Sequence, residues 1–251
     1  MKIYDSRLLE KYEYYSRFIK AQKIEIILKD FLQLSDDSLH RLKCLDVGCA
    51  IGVITARLAE IFGQVIGVDP SEEAIYLARN LHRDSSALFM QGDGLHLPFV
   101  DASFDVVVCA QVYEHSSVPE LLAEEIWRVL VPGGSCFFSG PNRLWPFEYH
   151  YRWYFLHWLP RSILDLYVRQ RYGHDFDLNL YTPWHLATLW RRFERYDYTL
   201  ELIYNSADFF GVPFIPAWAP LVPRSLIEKV SYLLPNFNWI LKKPVFTNER
   251  D

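Results

Sequence analysis

The sequence predicts an α/β protein with a mostly parallel, doubly wound sheet. Three observations carry that reading. Strand-like apolar segments alternate with helical ones from Cys44 to Ser139, a run of small residues follows the first strand, and an acidic residue closes the second. The 251 residues are 51% hydrophobic and 23% charged, which provides a folded core and carries too little charge for a disordered chain.

The elements follow in order. From Leu8 to Leu34 the apolar residues Tyr12, Tyr15, Phe18, Ile19, Ile26, Ile27 and Phe31 recur at helical spacing, so an amphipathic helix leads the chain. A strand at Cys44 to Val47 precedes a helix from Ile51 to Phe62. A second strand at Val65 to Val68 precedes a helix from Ser71. Further strands are expected at Ala87 to Met90, Phe104 to Ala110 and Ser135 to Ser139, with a helix from Pro119 to Leu130 between the last two. Pro160 opens a helix with Ile163, Leu164, Tyr167 and Val168 on one face and Arg161, Arg169 and Arg171 beside it. Such a face packs on a sheet or lies on an anionic membrane surface. The run from Phe209 to Pro223 is uncharged but broken by Pro213, Pro216, Pro220 and Pro223, and Leu226 to Leu234 reads as a further apolar helix.

Charge and cysteine usage narrow the function classes. The net charge of −5 offers no broad attraction to polyanions, so nucleic acid is excluded as the first expectation. Residues 1–140 hold 13 basic and 20 acidic side chains, residues 141–251 hold 13 and 11, and the acidic excess therefore sits in the first part. Cys44, Cys49, Cys109 and Cys136 lack metal-site or disulfide-framework spacing, which fits reduced thiols and a cytoplasmic location. Met1 to Asp5 lack a signal-peptide core, and no apolar run is long enough for a bilayer-spanning helix. A peripheral position at the inner membrane face remains compatible with the greasy second part.

In open parallel sheets the ligand lies beyond the carboxyl ends of the strands. After the first strand comes Asp46-Val47-Gly48-Cys49-Ala50-Ile51-Gly52, where small residues let backbone approach a ligand at a helix start. After the second comes Asp69, 23 residues beyond Asp46, suited to the hydroxyls of a ribose. Val53 occupies the place of the third glycine of a dinucleotide fingerprint, and no phosphate-binding Gly-Lys-Ser/Thr turn is present. A nucleoside ligand without pyrophosphate, tolerant of positive charge, fits this loop.

These segments resemble class I S-adenosylmethionine-dependent methyltransferases of the type 11 small-molecule group. The resemblance covers roughly Lys43 to Pro141. It rests on Leu45 to Gly52, Gly67-Val68-Asp69-Pro70-Ser71, Gly92-Asp93-Gly94 with Leu97-Pro98-Phe99 and Asp101 to Asp105, and Val129 to Gly134. It implies a seven-stranded Rossmann-like sheet whose last strand, Asn238 to Lys243, pairs antiparallel at the sheet edge, with an aromatic and apolar insertion after strand five. One methyltransferase domain would then span 1–251: an N-terminal helical segment at 1–40, a cofactor-binding core at 41–141, a lid insertion at 142–181, and C-terminal helices and strands at 182–251.

The implied cofactor is S-adenosylmethionine. The resemblance assigns Gly48 and Gly52 to its methionine part, Asp46 to its amino group, Asp69 to the ribose hydroxyls and Asp93 to the adenine amino group, with Cys49 and Pro70 as further cofactor-binding residues. Gly94, Ala110 and Gln111 would complete the pocket. Ala50 departs from the family, whose members usually carry glycine there.

Methyl transfer to a hydroxyl needs a positioned nucleophile and a base. His115, after strand four, is the first candidate base, with an ordinary pKa near neutrality. The stretch around it also resembles quinone-biosynthesis O-methyltransferases, but Gln111 stands where those carry an acid, and Glu114 with His115 alone is a poor site for a hard cation. No metal is expected. Eight of the 14 residues from Trp145 to Trp158 are aromatic, a composition suited to clamping a sugar, an aromatic ring or a prenyl chain, or to a dimer contact. Glu148 and His150 within it are secondary candidates for acceptor contact or base. The expected partner is a small or lipid-linked acceptor bearing a quinone-like, glycan or polyketide hydroxyl, with a membrane surface or a second copy of the chain as further contacts. The competing expectation is a noncatalytic, membrane-associated partner subunit that keeps the methyltransferase fold.

Overall fold

The computed structural model describes residues 11–148, 151–204 and 223–245. Its elements run α1 (Lys11–Leu32), α2 (Asp36–Leu39), β1 (Lys43–Val47), α3 (Val53–Leu58), β2 (Gln64–Asp69), α4 (Glu72–Leu81), β3 (Leu88–Gln91), β4 (Phe104–Ala110), α5 (Pro119–Val129) and β5 (Leu130–Pro141). Then come the two-residue strands β6 (Phe147–Glu148) and β7 (Trp153–Tyr154), α6 (Arg161–Tyr172), α7 (Pro183–Leu189), β8 (Glu194–Asp197), α8 (Thr199–Tyr204), α9 (Arg224–Val230) and β9 (Asn236–Lys242).

Seven strands form one sheet in the order β3-β2-β1-β4-β5-β9-β8. The first five pair in parallel, as alternating strands and helices require, and β9 runs antiparallel to both β5 and β8. The sequence expectation put the last strand at the sheet edge, but β9 lies inside, between β5 and β8. Its five central residues, Phe237 to Leu241, are all buried, which an edge strand could not achieve. The edge is β8, whose four residues are all exposed and show no apolar alternation, so the sequence pattern missed it.

Each face of the sheet carries helices. On one face Leu122 and Ile126 of α5 and Leu186 of α7 pack with Val107, Phe138 and Trp239. On the other, Ile24, Ile27 and Leu28 of α1 and Leu58 of α3 pack with Val106, Phe137 and Ile240. In α1 the burial stripe runs through Ala21, Ile24 and Leu28, at helical spacing, and leaves Tyr15 on the solvent side, contrary to its expected place on the apolar face. The helix expected over 51–62 is shorter, because tight turns through Ile61 and Phe62 bring Gln64 into register with Lys43.

The segment after β5 builds its own small core. Leu164 and Val168 of α6 pack with Leu156, Phe176, Leu178 and Leu180 rather than on the sheet, and Ile163, expected on the same face, is half exposed. The Phe209 to Pro223 run lies outside the described residues except for Pro223 itself. Leu226, Val230 and Leu233 in and just after α9 are exposed. Among the described residues no helix is long and apolar enough to cross a membrane.

Phe138 sits at the centre of the larger core, with ring centroids 5.7 Å from Tyr113, 5.0 Å from Trp190 and 5.6 Å from Trp239. Phe138→Ala is expected to cost about 3–5 kcal/mol in urea unfolding, the range for an aromatic ring removed from a close-packed core.

Candidate cofactor and acceptor site

The parallel pairing of β1, β2, β3 and β4 brings the segments that follow them to one end of the sheet. Gly48 and Cys49 donate their N–H groups to the Val68 carbonyl at 2.8 and 3.0 Å, tying the turn after β1 to β2. Gly48 has φ +73° and Gly52 φ +80°, in the left-handed region. A side chain at Gly48 would fall 2.6 Å from Val112 Cγ2, and one at Gly52 would fall 2.5 Å from Phe89 Cε1, so both glycines are required by close approach as well. Ala50 shares the left-handed conformation, at φ +48°, without being glycine.

Two carboxylates are buried beneath this turn. Asp46 Oδ2 accepts from the Thr55 hydroxyl at 2.7 Å. Asp69 Oδ2 accepts from the Ala50 N–H and its Oδ1 from the Ser71 N–H, each at 2.9 Å. Burial pushes the Asp46 carboxyl up to about 7, with the Asp69 charge adding to the effect and the Thr55 hydroxyl opposing it. Burial likewise raises the Cys49 thiol well above its ordinary range, which leaves it an inert packing group against Gly67.

The other expected cofactor residues gather around the turn to different degrees. Pro70 is exposed, directly after Asp69. Asp93 is exposed, and its Oδ1 accepts from the Leu95 N–H at 2.9 Å. Gly94 lies against Val47 and Leu122. At the end of β4, Ala110 is half-buried and Gln111 takes φ +60° while donating its N–H to the Ser139 carbonyl at 2.7 Å. That bend sets Val112 against Gly48.

Past the bend, Tyr113 to His115 form a single 3-10 turn with Glu114 wholly buried and His115 exposed. The chain returning from α6 crosses this turn. Asn179 donates its backbone N–H to the Glu114 carbonyl and its side-chain amide to the Ser116 carbonyl, both at 2.7 Å. The buried Tyr113 hydroxyl donates to the Pro141 carbonyl at 2.5 Å and accepts from the Tyr181 N–H at 3.3 Å. Glu148 is buried, and its Oε2 accepts from the Tyr151 N–H at 2.5 Å, closing the β6–β7 hairpin. His150 lies outside the described residues.

His157 emerges as a buried imidazole that the residue pattern did not single out. Its Nε2 donates to the Arg143 carbonyl at 2.9 Å, and burial holds its pKa below the ordinary value, so the ring is neutral. Thr55 and Asn179 were missed as well. The one available signal was position: Thr55 lies nine residues after Asp46, on the first turn of α3 that faces β1.

Residues 45–138 match a family described as a methyltransferase domain. The match takes in 94 of the 251 residues, from β1 into β5. Over 130 residues the chain is 35% identical to the ubiquinone biosynthesis O-methyltransferase of Idiomarina loihiensis, covering 50% of this chain and 53% of that protein. It is 29% identical over 175 residues to an uncharacterized methyltransferase of Mycobacterium marinum, covering 67% of this chain and 68% of the relative. The chain thus spans about half the length of several curated relatives it matches. The solved S-adenosylmethionine-dependent methyltransferase of Mesorhizobium loti shares its fold, with a TM-score of 0.58 at 16% identity over 88% of this chain and 97% of that one.

Two stability tests follow from the turn after β1. Ala50→Gly relieves a left-handed alanine, a strain of about 1–2 kcal/mol, against about 0.4–1 kcal/mol of added unfolded-state entropy. A net gain of about 0.5 kcal/mol or more in urea unfolding is expected. For Asp46, the folded pKa lies above the unfolded one, so its contribution to stability falls as pH rises from about 4 to about 7. Asp46→Asn keeps an acceptor for Thr55 and removes that loss. The variant's advantage over wild type should therefore be greater at pH 8 than at pH 5, by an amount on the order of 2–4 kcal/mol.

Proposed function

We propose that this chain transfers a methyl group from S-adenosylmethionine to a hydroxyl oxygen of a small or lipid-linked acceptor, of the quinone-like, glycan or polyketide kind. The observation that carries the reading is the pair of buried carboxylates, Asp46 and Asp69, under a glycine turn at the ends of β1 and β2. A buried acid held near pH 7 is a site short of positive charge, and a ligand with an ammonium and a sulfonium supplies it. The residues present therefore fit this cofactor. Similarity to proteins named ubiquinone biosynthesis O-methyltransferase supports the choice of oxygen.

When bound, S-adenosylmethionine supplies an electrophilic methyl group on a sulfonium. The chain's part is to bind and orient. Asp46 ionises opposite the amino group. Each Asp69 oxygen accepts one backbone N–H and keeps a second lone pair for a ribose hydroxyl. Asp93 would hold the adenine amino group, and Gly48, Cys49, Gly52, Pro70, Gly94, Ala110 and Gln111 would complete the pocket. On the acceptor side His115 takes the hydroxyl proton, and residues 142–181 act as the lid, with Glu148 and His150 in supporting contact. The exposed rings of Trp153, Tyr154, Phe155 and Trp158 support an apolar acceptor or a surface contact as the business of that lid.

Calorimetric titration with S-adenosylhomocysteine at pH 6, 7 and 8 tests the cofactor half. Binding should tighten as pH rises toward about 7, by up to about tenfold per pH unit, and Asp46→Asn should flatten the profile. Labelled methyl transfer to a panel of catechol, glycan and polyketide hydroxyls tests the other half. His115→Ala should lower kcat by about 10²–10⁴ with cofactor binding unchanged. Bound cofactor with no hydroxyl methylated would overturn the acceptor assignment.

A further inference from the structure

A cleft of about 620 Å³ opens between α5, α7 and the segment 157–181, and none of its lining residues belongs to the turns assigned above to the cofactor. The volume falls in the range of roughly 300–1,000 Å³ occupied by small-molecule sites. One wall is apolar, made by Leu164, Phe176, Leu178, Leu180 and Phe193, all buried in the surrounding packing. Around it stand four arginines, Arg143, Arg161, Arg191 and Arg192, against two carboxylates, Glu120 and Glu124.

The partners of these groups decide what charge the cleft presents. Arg161 is spent on Asp165 and the Phe176 carbonyl, and Glu120 accepts from the Tyr181 hydroxyl at 3.1 Å. The Arg192 guanidinium lies 4.1 Å from the centre of the Trp127 ring. Among the described residues Arg143 and Arg191 have no carboxylate, and Glu124 no cation, within ion-pair distance, so the four arginines of the lining outnumber its two carboxylates. The buried His157 on the same wall is neutral and adds no competing charge. A greasy wall with two uncommitted guanidiniums at its mouth matches a ligand with an apolar chain and an anionic head, since guanidinium pairs carboxylate or phosphate in two-pronged fashion.

We propose that this cleft binds a single-chain anionic amphiphile, a carboxylate or a phosphate ester, with its head on Arg143 and Arg191 and its chain along Leu178, Leu180 and Phe193. The cleft shares the segment 143–181 with the lid assigned above, but the binding proposed here requires no cofactor, so the two readings fail separately.

Titration of the full chain with laurate, dodecyl phosphate and dodecyltrimethylammonium, each below its micelle concentration and followed by tryptophan fluorescence and calorimetry, tests it. Saturable 1:1 binding of an anionic probe is expected, at least about tenfold tighter than the cationic one. Laurate against dodecyl phosphate tells which head group is preferred. Arg143→Gln with Arg191→Gln should weaken the anionic probes by at least about tenfold. Thr188→Trp, which fills the cleft from α7, should abolish binding, and S-adenosylhomocysteine affinity and near-ultraviolet dichroism report that each variant is folded. Equal binding of the cationic probe, unchanged binding in the double arginine variant, or no binding of either anion would overturn the proposal. Loss of S-adenosylhomocysteine binding in the wild-type chain would instead strike the cofactor reading alone.

Discussion

Asp46 and Asp69, buried side by side at the C-terminal ends of neighbouring parallel strands, set the terms for the domain. Carboxylates out of water must find donors, and here they find them in backbone and hydroxyl groups rather than in a lysine or arginine. Asp69 thereby holds the Ala50 N–H and fixes the turn after β1. Asp46 holds Thr55 and so orients the first turn of α3. The cost is desolvation, to which the Asp69 charge adds, visible in the raised Asp46 pKa. A cationic ligand would relieve both, so preorganisation for a cation and local destabilisation are one arrangement.

The far side of the β4 bend is built on a different principle. Here one aromatic side chain connects the layers: Tyr113 is wholly buried, touches Phe138 in the core, donates to the end of β5 and receives the chain returning from α6. The segment 142–181 has its own small core and meets the sheet through the clamp of Asn179 on the Tyr113 to Ser116 turn. A segment with separate packing and few anchor points varies in sequence without disturbing the sheet.

Much of this was legible in the residues. The β1 to β5 core announces itself because parallel strands buried on both faces read as continuous apolar runs, with periodic burial in α4 and α5 and a Ser71 cap on α4. The turn residues Gly48, Gly52 and Asp69 were legible because few residue types satisfy their conformations. What failed to show were features defined only by contact. β8 has no apolar pattern, being four exposed residues held by pairing to β9. The interior place of β9 depends on that partner. His157 was one aromatic-flanked histidine among several until burial distinguished it. Ala50 was recognisable as a departure, but its left-handed backbone was needed to say what the departure costs.

The interior position of β9 also governs the order of assembly on the ribosome. β1 to β5 are synthesised by Pro141, yet the antiparallel partner of β5 begins at Asn236. At ordinary translation rates of about 5–20 residues per second, the intervening stretch of roughly 95 residues takes about 5–20 s to appear. For that interval the β5 edge, with Phe137 and Phe138 in it, stands unpaired, a template for any other nascent strand. A β5 edge open until β9 emerges is a template for mispairing, and shielding by a holding chaperone or a translational slowdown would act there rather than on the turn after β1.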